Sequence, residues 1–399
     1  MNTLLSNRIV NLTESQTLAM AKKSRELAAT GIDVINLSLG EPDFDTPEHI
    51  KFAAKTAIDD GFTHYPPVAG YLEVRKAICE KLKRENNLNY QPDQILISTG
   101  AKQSIANVLL SLINPGDEVI IPMPYWVSYM QMVELAEGTP VMISCKIENQ
   151  FKLQPAQLEA AITPKTKLII YSSPCNPTGS VYNQQELRSL ADVLVKHPKV
   201  MILSDEIYEH INFAGKHYSM AQFHDLHDRV IVVNGVSKGY AMTGWRIGYI
   251  AAPKWLTAAC EKMQGQFTSA ASSIAQKATE TALLSGNEPT INMCAAFKSR
   301  RDLMLQMLNE IPFLKTTIPD GAFYLFPDVS HYFGMKFNGQ EIANASDLCM
   351  YLLNQAHVSL VTGDAFGDGN CVRISYATSE LALKEAAQRI KKALAALSS

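Results

Sequence analysis

An α/β fold, with a mostly parallel seven-stranded sheet flanked by helices and a smaller α/β domain beside it, is what this sequence predicts. Three observations carry the prediction. Strand-like apolar runs alternate with helical segments through the middle of the chain, as a parallel sheet covered on both faces requires. Three of those runs end in polar residues, at the strand termini where open α/β sheets collect their ligands. Beyond about Ser285 the chain turns helix-rich and then supplies GAFYLFPDV and CVRISYAT, the material of a second unit completed by the amino-terminal segment. The expected division is residues 48–288 for the large, ligand-binding domain, with 1–47 and 289–399 forming the small one.

A chain of 399 residues can bury both cores. It is 47% hydrophobic and 19% charged with a net charge of −3, which gives no electrostatic footprint for a nucleic acid or a membrane surface. The start, MNTLLSNRIVNLTES, lacks a basic region followed by an apolar stretch, so no signal peptide is expected, and no apolar run approaches membrane-spanning length. Seven cysteines, scattered and never spaced CxxC, point to free thiols in a reducing cytoplasm.

Thr13 to Ala29 reads as an amphipathic helix with Ser15 and Thr17 near its start. DVINLSLGEPDFDTPEHI gives a short strand, a loop enforced by Gly40, Pro42 and Pro47, and a helix from about Glu48. Gly40 either admits a ligand close to the backbone or serves the turn. Tyr65 heads the stiff HYPPVAG segment before the helix LEVRKAICEKLKRE. From Gln94 the alternation sets in. QILIS is a strand, Thr99-Gly100-Ala101 a turn, and Ile105, Val108, Leu109 and Leu112 fall on one helical face. A small-residue turn feeding a helix start is an anion site, because free N–H groups and the helix dipole face it. Further strands follow at EVIIP, Val141–Cys145, Lys167–Ser172, Val200–Ser204, Val230–Val233 and Tyr249–Ala252, with a helix at Gln184–Lys196. No GxGxxG or GxxxxGK[ST] occurs, so dinucleotide and P-loop readings lack their fingerprints.

The chemistry sits at the strand ends. KLIIYSS runs into Pro174-Cys175-Asn176-Pro177, VMILS into Asp205-Glu206-Ile207-Tyr208, and RVIVV into Asn234-Gly235, a turn signal, and then Lys238. Arg246 follows Lys238 by eight residues, with Gly244 and small residues between them for the chain to fold back. An amine and a guanidinium at one site suit a phosphate-bearing aldehyde. Taken singly, Asn176 could form a turn, Asp205 cap a helix and Tyr208 fill a core. The four histidines from His210 to His227 are irregularly spaced and read as solvated; no metal is expected.

With SLGEPDFDTP, HYPPVAGYLEVRKAI, STGAKQSI, PGDEVIIPMPYWVSY, SPCNPTG, SDEIYEHI, VNGVSKGYAMTGWRIGYI, PDGAFY and VRISYATS, the chain resembles the fold-type-I, class I aminotransferases that use pyridoxal phosphate. The resemblance runs from about residue 13 to the end. It implies that Lys238 holds the cofactor as a Schiff base and then serves as general base. It implies that Asp205 pairs with the ring nitrogen, that Tyr208 and Asn176 bond the ring oxygen, and that Trp126 stacks on the ring. The phosphate would fall to Gly100, Ala101, Lys102, Ser237 and Arg246, with Tyr65 reaching in from the second subunit of a homodimer. Arg373 and Gly40 would take the substrate α-carboxylate. Cys175 stands where Asn is common in this motif, beside the site rather than in it.

No Arg occurs between Arg246 and Arg300, so the arginine by which animal-type aspartate enzymes bind the distal carboxylate is absent. Thr17 and Lys102 match the pair used instead by the bacterial-type aspartate subgroup, which implies a cytoplasmic L-aspartate:2-oxoglutarate aminotransferase with ping-pong kinetics. Alternatives are a prephenate or aromatic aminotransferase, a β-lyase using the same cofactor, and the aminotransferase-like domain of a regulator. The last needs a DNA-binding module that Met1 to Thr13 gives no room for.

Overall fold

The computed structural model describes residues 4–13 and 16–398. Its strands, in chain order, are β1 Ile35–Asn36, β2 Ile95–Ser98, β3 Glu118–Met123, β4 Thr139–Ser144, β5 Thr166–Ser172, β6 Met201–Asp205 and β7 Val230–Gly235. They continue as β8 Gly248–Ala251, β9 Tyr324–Leu325, β10 Lys336–Phe337, β11 Gln340–Glu341, β12 Val358–Ser359, β13 Val361–Thr362 and β14 Val372–Ser375. The main sheet has seven strands in the order β2-β8-β7-β6-β5-β3-β4. Neighbours from β7 to β4 are parallel, and β8 runs antiparallel to both β7 and β2. Apart from the half-buried Lys167 of β5, the central strands are buried, which is why they read as unbroken apolar runs rather than alternating ones.

Helices close both faces of this sheet. The helix Ala101–Leu112 turns Ile105, Val108, Leu109 and Leu112 inward, onto the core shared with Leu168, Leu203 and Ile231. On the other face, Leu187, Leu190 and Leu194 of helix Gln184–Val195 join Ile169, Ile202 and Val230. That helix opens on a capping box, Asn183 and Glu186 each accepting the other's backbone N–H.

A second core gathers Met20 and Leu37 with Phe297, Phe323, Val358, Ile374 and Ile390. Here β13, β14 and β9 form an antiparallel sheet, and β1 pairs in parallel with β12, so residues 35–36 are built into the carboxyl-terminal part of the chain. The expected amino-terminal helix is present as Gln16–Ala28; Ser15, read as part of its start, lies outside the described residues.

One local reading needs correction. Asn234-Gly235 is not a turn: both residues are buried in β7 and pair with Tyr249 and Gly248 of β8. A Cβ on Gly235 would stand 2.7 Å from the Ile247 carbonyl oxygen, so glycine is required there by the approach of β8.

Candidate active site

Because β7, β6 and β5 are adjacent and parallel, Lys238, Asp205 and Asn176 emerge on the same edge of the sheet. They line one cavity of about 290 Å³ together with Thr17, Gly40, Ala101, Lys102, Trp126, Tyr208, Ser237, Arg246 and Arg373. Of the residues expected at the site, Gly100 lies behind Arg246 and Tyr65 stands apart, 95% exposed.

The Lys238 amine donates to the Gly40 carbonyl at 2.5 Å. Burial brings its pKa down to about 8; the nearby Glu41 and Asp205 carboxylates hold it up, while Arg373 and Arg246 push it further down. Across the cavity Asp205 is also buried. Desolvation raises its carboxyl to about 6 against the pull of two donors, the Tyr129 hydroxyl at 2.6 Å and the Ile207 amide at 3.2 Å. An acid here with no cation bonded to it is poised to receive one.

At the other end is an anion cradle. Gly100, with φ +82°, caps the helix that begins at Ala101, and a Cβ there would fall 2.3 Å from an Arg246 Nη2 atom. Arg246 is itself in the left-handed region at φ +59°, held by a 2.8 Å bond from its Nη1 to the Thr243 carbonyl. The return of the chain that brings Arg246 to the helix start thus uses left-handed Ala241 and Arg246, not Gly244 as its sequence suggested. Such positions cost about 1 kcal/mol or more for residues with a Cβ, and they recur where function requires the geometry.

The third wall comes from the second core. Arg373, on β14, is 2% exposed. Its guanidinium donates to Asn176 Oδ1 at 3.1 Å and to the Ser38 carbonyl at 2.6 Å, while its Nε is buried without a partner. Thr17 Oγ1 is likewise orphaned. Lys102 projects its ammonium 5.0 Å from the centre of the Trp126 ring, and burial, helped by Arg246, lowers its pKa. Buried polar atoms left unpaired in this way fit a ligand that supplies acceptors.

Tyr129 and Tyr324 are among the cavity residues that sequence reasoning missed. Tyr129 holds Asp205, and the Tyr324 hydroxyl sits 2.7 Å from that of Tyr208. Both lie in segments already singled out, PYWVSY and GAFY, but nothing in a buried tyrosine's sequence setting separates a core ring from a working phenol. His210 and His217 also need correction. They are largely buried rather than solvated, and lie 3.0 Å from Glu85 and Glu206 respectively. Behind the cavity they join Glu209, which accepts from Lys81, Asn86 and Asn234. Glu85, Glu209 and His210, and likewise Glu206, Glu209 and His217, are close enough to share a metal ion, but the Lys81 ammonium already fills the space between Glu209 and Glu85.

The donor set has a definite complement: an electrophile for a buried amine, a cationic ring atom for Asp205, a flat face for Trp126 and an anion for the Gly100–Arg246 cradle. Pyridoxal phosphate carries all four, and the residues fit it.

The chain is similar to known aminotransferases. The aminotransferase class I and II family model matches residues 32–390. A bifunctional aspartate aminotransferase and glutamate/aspartate-prephenate aminotransferase of Petunia hybrida is 50% identical over 98% of this chain and 82% of its own length. An aspartate/prephenate aminotransferase of Cereibacter sphaeroides is 49% identical over 99% of each chain. Among solved structures, the aspartate aminotransferase of Rhizobium meliloti superposes with a TM-score of 0.96 at 44% identity over 100% of both chains. That of Thermus thermophilus, solved with maleate, gives 0.92 at 40% identity over 98% of this chain and 99% of its own.

Proposed function

The chain belongs to the class I and class II aminotransferases, and on that premise we propose that it transfers the amino group of L-aspartate to 2-oxoglutarate with pyridoxal phosphate as cofactor. The observation that carries this reading is the single cavity in which a buried amine of depressed pKa faces a buried acid and an arginine with an unpaired Nε.

Bound in that cavity, the cofactor would supply an aldehyde carbon for amines and a ring that draws off the electron pair left at the substrate Cα. Lys238 would carry it through Nζ, with Ala101, Ser237 and Arg246 on the phosphate and Lys102 near that end. Asp205 would keep the ring nitrogen protonated; Tyr208 and Asn176 would donate to the ring oxygen, and Trp126 would cover one face. Arg373 would grip the α-carboxylate, its planar fork matching two oxygens, with Gly40 beside it. The Lys238 amine would act as the general base on the proton at the substrate Cα. A pKa near 8 leaves about a tenth of that amine neutral at pH 7, ready to act as a base. Thr17 and Lys102 would bind the distal carboxylate, and Lys102, partly desolvated, would discriminate strongly for it.

The exposed Tyr65 supports a homodimer in which it completes the neighbouring subunit's phosphate site, and the free cysteines support a cytoplasmic setting. Both charged partners of the reading are small acids. The net charge of −3 supports no nucleic-acid role, and among the described residues no helix is long and apolar enough to cross a membrane. Prephenate is a second amino acceptor supported by the names of the Petunia and Cereibacter relatives. The test is a half-reaction panel: cofactor-loaded protein is mixed with aspartate, glutamate, tyrosine or arogenate, and loss of the visible band is followed. Aspartate and glutamate should react fastest. Pyruvate and ammonia released from a cysteine conjugate without any amino acceptor would instead identify a β-lyase.

A further inference from the structure

Tyr324 joins two parts of the site that the chain supplies separately. It lies on β9, whose neighbour β14 carries Arg373, and Tyr324 pairs with Ser375 in that ladder. Its hydroxyl reaches across to Tyr208, which belongs to the Asp205 segment at the end of β6, and the two oxygens are 2.7 Å apart. Both tyrosines are buried, and among the described residues that contact is the only hydrogen bond of either hydroxyl. The Arg373 guanidinium lies 4.6 Å from the centre of the Tyr324 ring. The hydroxyl also fixes the identity of residue 40, since a Cβ there would be 2.9 Å from it.

Two hydroxyls bring two protons to one contact, so one proton lies between the oxygens and the other is left to point elsewhere. The surroundings decide which. A guanidinium against the Tyr324 ring draws electron density from that phenol and makes it the better donor. The Lys238 ammonium stands over the Tyr208 ring at 5.8 Å, farther than Arg373 stands from Tyr324, and the Asp205 carboxylate acts on Tyr208 in the opposite sense, so the Tyr208 oxygen is the better acceptor. Resting on the functional reading above, we propose that Tyr324 is a positioning residue: it donates to Tyr208, and so turns the Tyr208 proton into the cavity, toward the ring oxygen of the cofactor. Bonds in such a chain reinforce one another, so the Tyr208 hydroxyl is a stronger donor with Tyr324 behind it.

The Tyr324→Phe variant tests this, because it removes one oxygen and leaves the ring beneath Arg373. The readout is the pH midpoint at which the visible absorption band of the pyridoxal-phosphate-loaded protein changes, measured alongside kcat and KM for aspartate. Weakening the hydrogen bond that Tyr208 would donate to the ring oxygen raises that midpoint. The expected rise is about 0.3–1 pH unit, the scale of one reinforced hydrogen bond, with kcat reduced and KM for aspartate little changed. Tyr208→Phe should move the midpoint further in the same direction, and adding Tyr324→Phe to it should move it no more. An unmoved midpoint in Tyr324→Phe, a fall, or an equal rise in the Tyr208→Phe background would each overturn the proposal. A purely structural role would lower cofactor affinity or melting temperature and leave the midpoint in place. A wild-type protein that develops no visible band with pyridoxal phosphate overturns the functional reading, and this proposal with it; a normal wild-type band with an unmoved variant overturns the proposal alone.

Discussion

Replacing Asp205 by Asn should make the cofactor-free protein more stable while destroying its proposed activity. The carboxyl is fully buried and its folded pKa is about 6 against 3.8 unperturbed, so the folded state binds that proton more tightly than the unfolded chain does. The contribution of a group shifted this way is present below pH 3.8 and is lost as pH rises through about 6. Above that, the ionised carboxylate costs the fold about 3 kcal/mol, from just over two pKa units at 1.36 kcal/mol each. That pKa already includes the attraction to the Lys238 ammonium; burying the Asn amide in its place keeps part of the desolvation cost, so a net gain of about 1–3 kcal/mol is expected for the variant at pH 7. Asn can still accept from the Ile207 amide, and Tyr129 can turn its hydroxyl to accept from the new amide, so both contacts are kept. Urea denaturation of both cofactor-free proteins from pH 4 to pH 7.5 measures the difference. The gap should open between pH 4 and 6 and then level off. A variant less stable than the wild type at pH 7, or a gap independent of pH, would refute the picture of Asp205 as an acid held ready for a cation. Stability given up at this carboxylate is what the ring nitrogen of the cofactor would restore.

Other outcomes follow from the same geometry. Acylation of Lys238 in the cofactor-free protein, followed by peptide mapping over pH, should show a midpoint near 8 rather than 10.5, because the neutral amine is the reactive form and burial lowers its pKa. Borohydride treatment of the loaded protein should label the same residue, and a label on another amine would end the case for it. Lys102→Ala should raise KM for aspartate and 2-oxoglutarate about 10–100-fold while leaving tyrosine nearly unaffected; equal harm to tyrosine would exclude distal-carboxylate recognition. Gly100→Ala places a Cβ 2.3 Å from Arg246 Nη2 at φ +82°, and should weaken pyridoxal phosphate binding about tenfold or more in an equilibrium titration. Glu209→Gln leaves the buried Lys81 ammonium with only the more distant Glu85 carboxylate, at 3.5 Å, and should cost about 3 kcal/mol in a denaturation experiment, with substrate preference unchanged.

The order of strands and helices, and the three polar strand ends, could be read along the chain because each is local. Apolar runs of strand length, helical periodicity at Ile105–Leu112, and the turn at Gly100 are set by neighbours a few residues away. Lys238, Asp205 and Asn176 were legible for the same reason, since parallel strands must end on one edge. Tertiary structure alone decided what stands behind them. Tyr129 meets Asp205 across 76 residues of sequence and Tyr208 meets Tyr324 across 116, and no periodicity encodes such a meeting. The turn-like Asn234-Gly235 became strand because β8 lies against it, and His210 and His217 became buried ion partners because the chain folded carboxylates over them. A side chain's role at a site depends on the charges that face it once water is excluded, and only the folded chain fixes those.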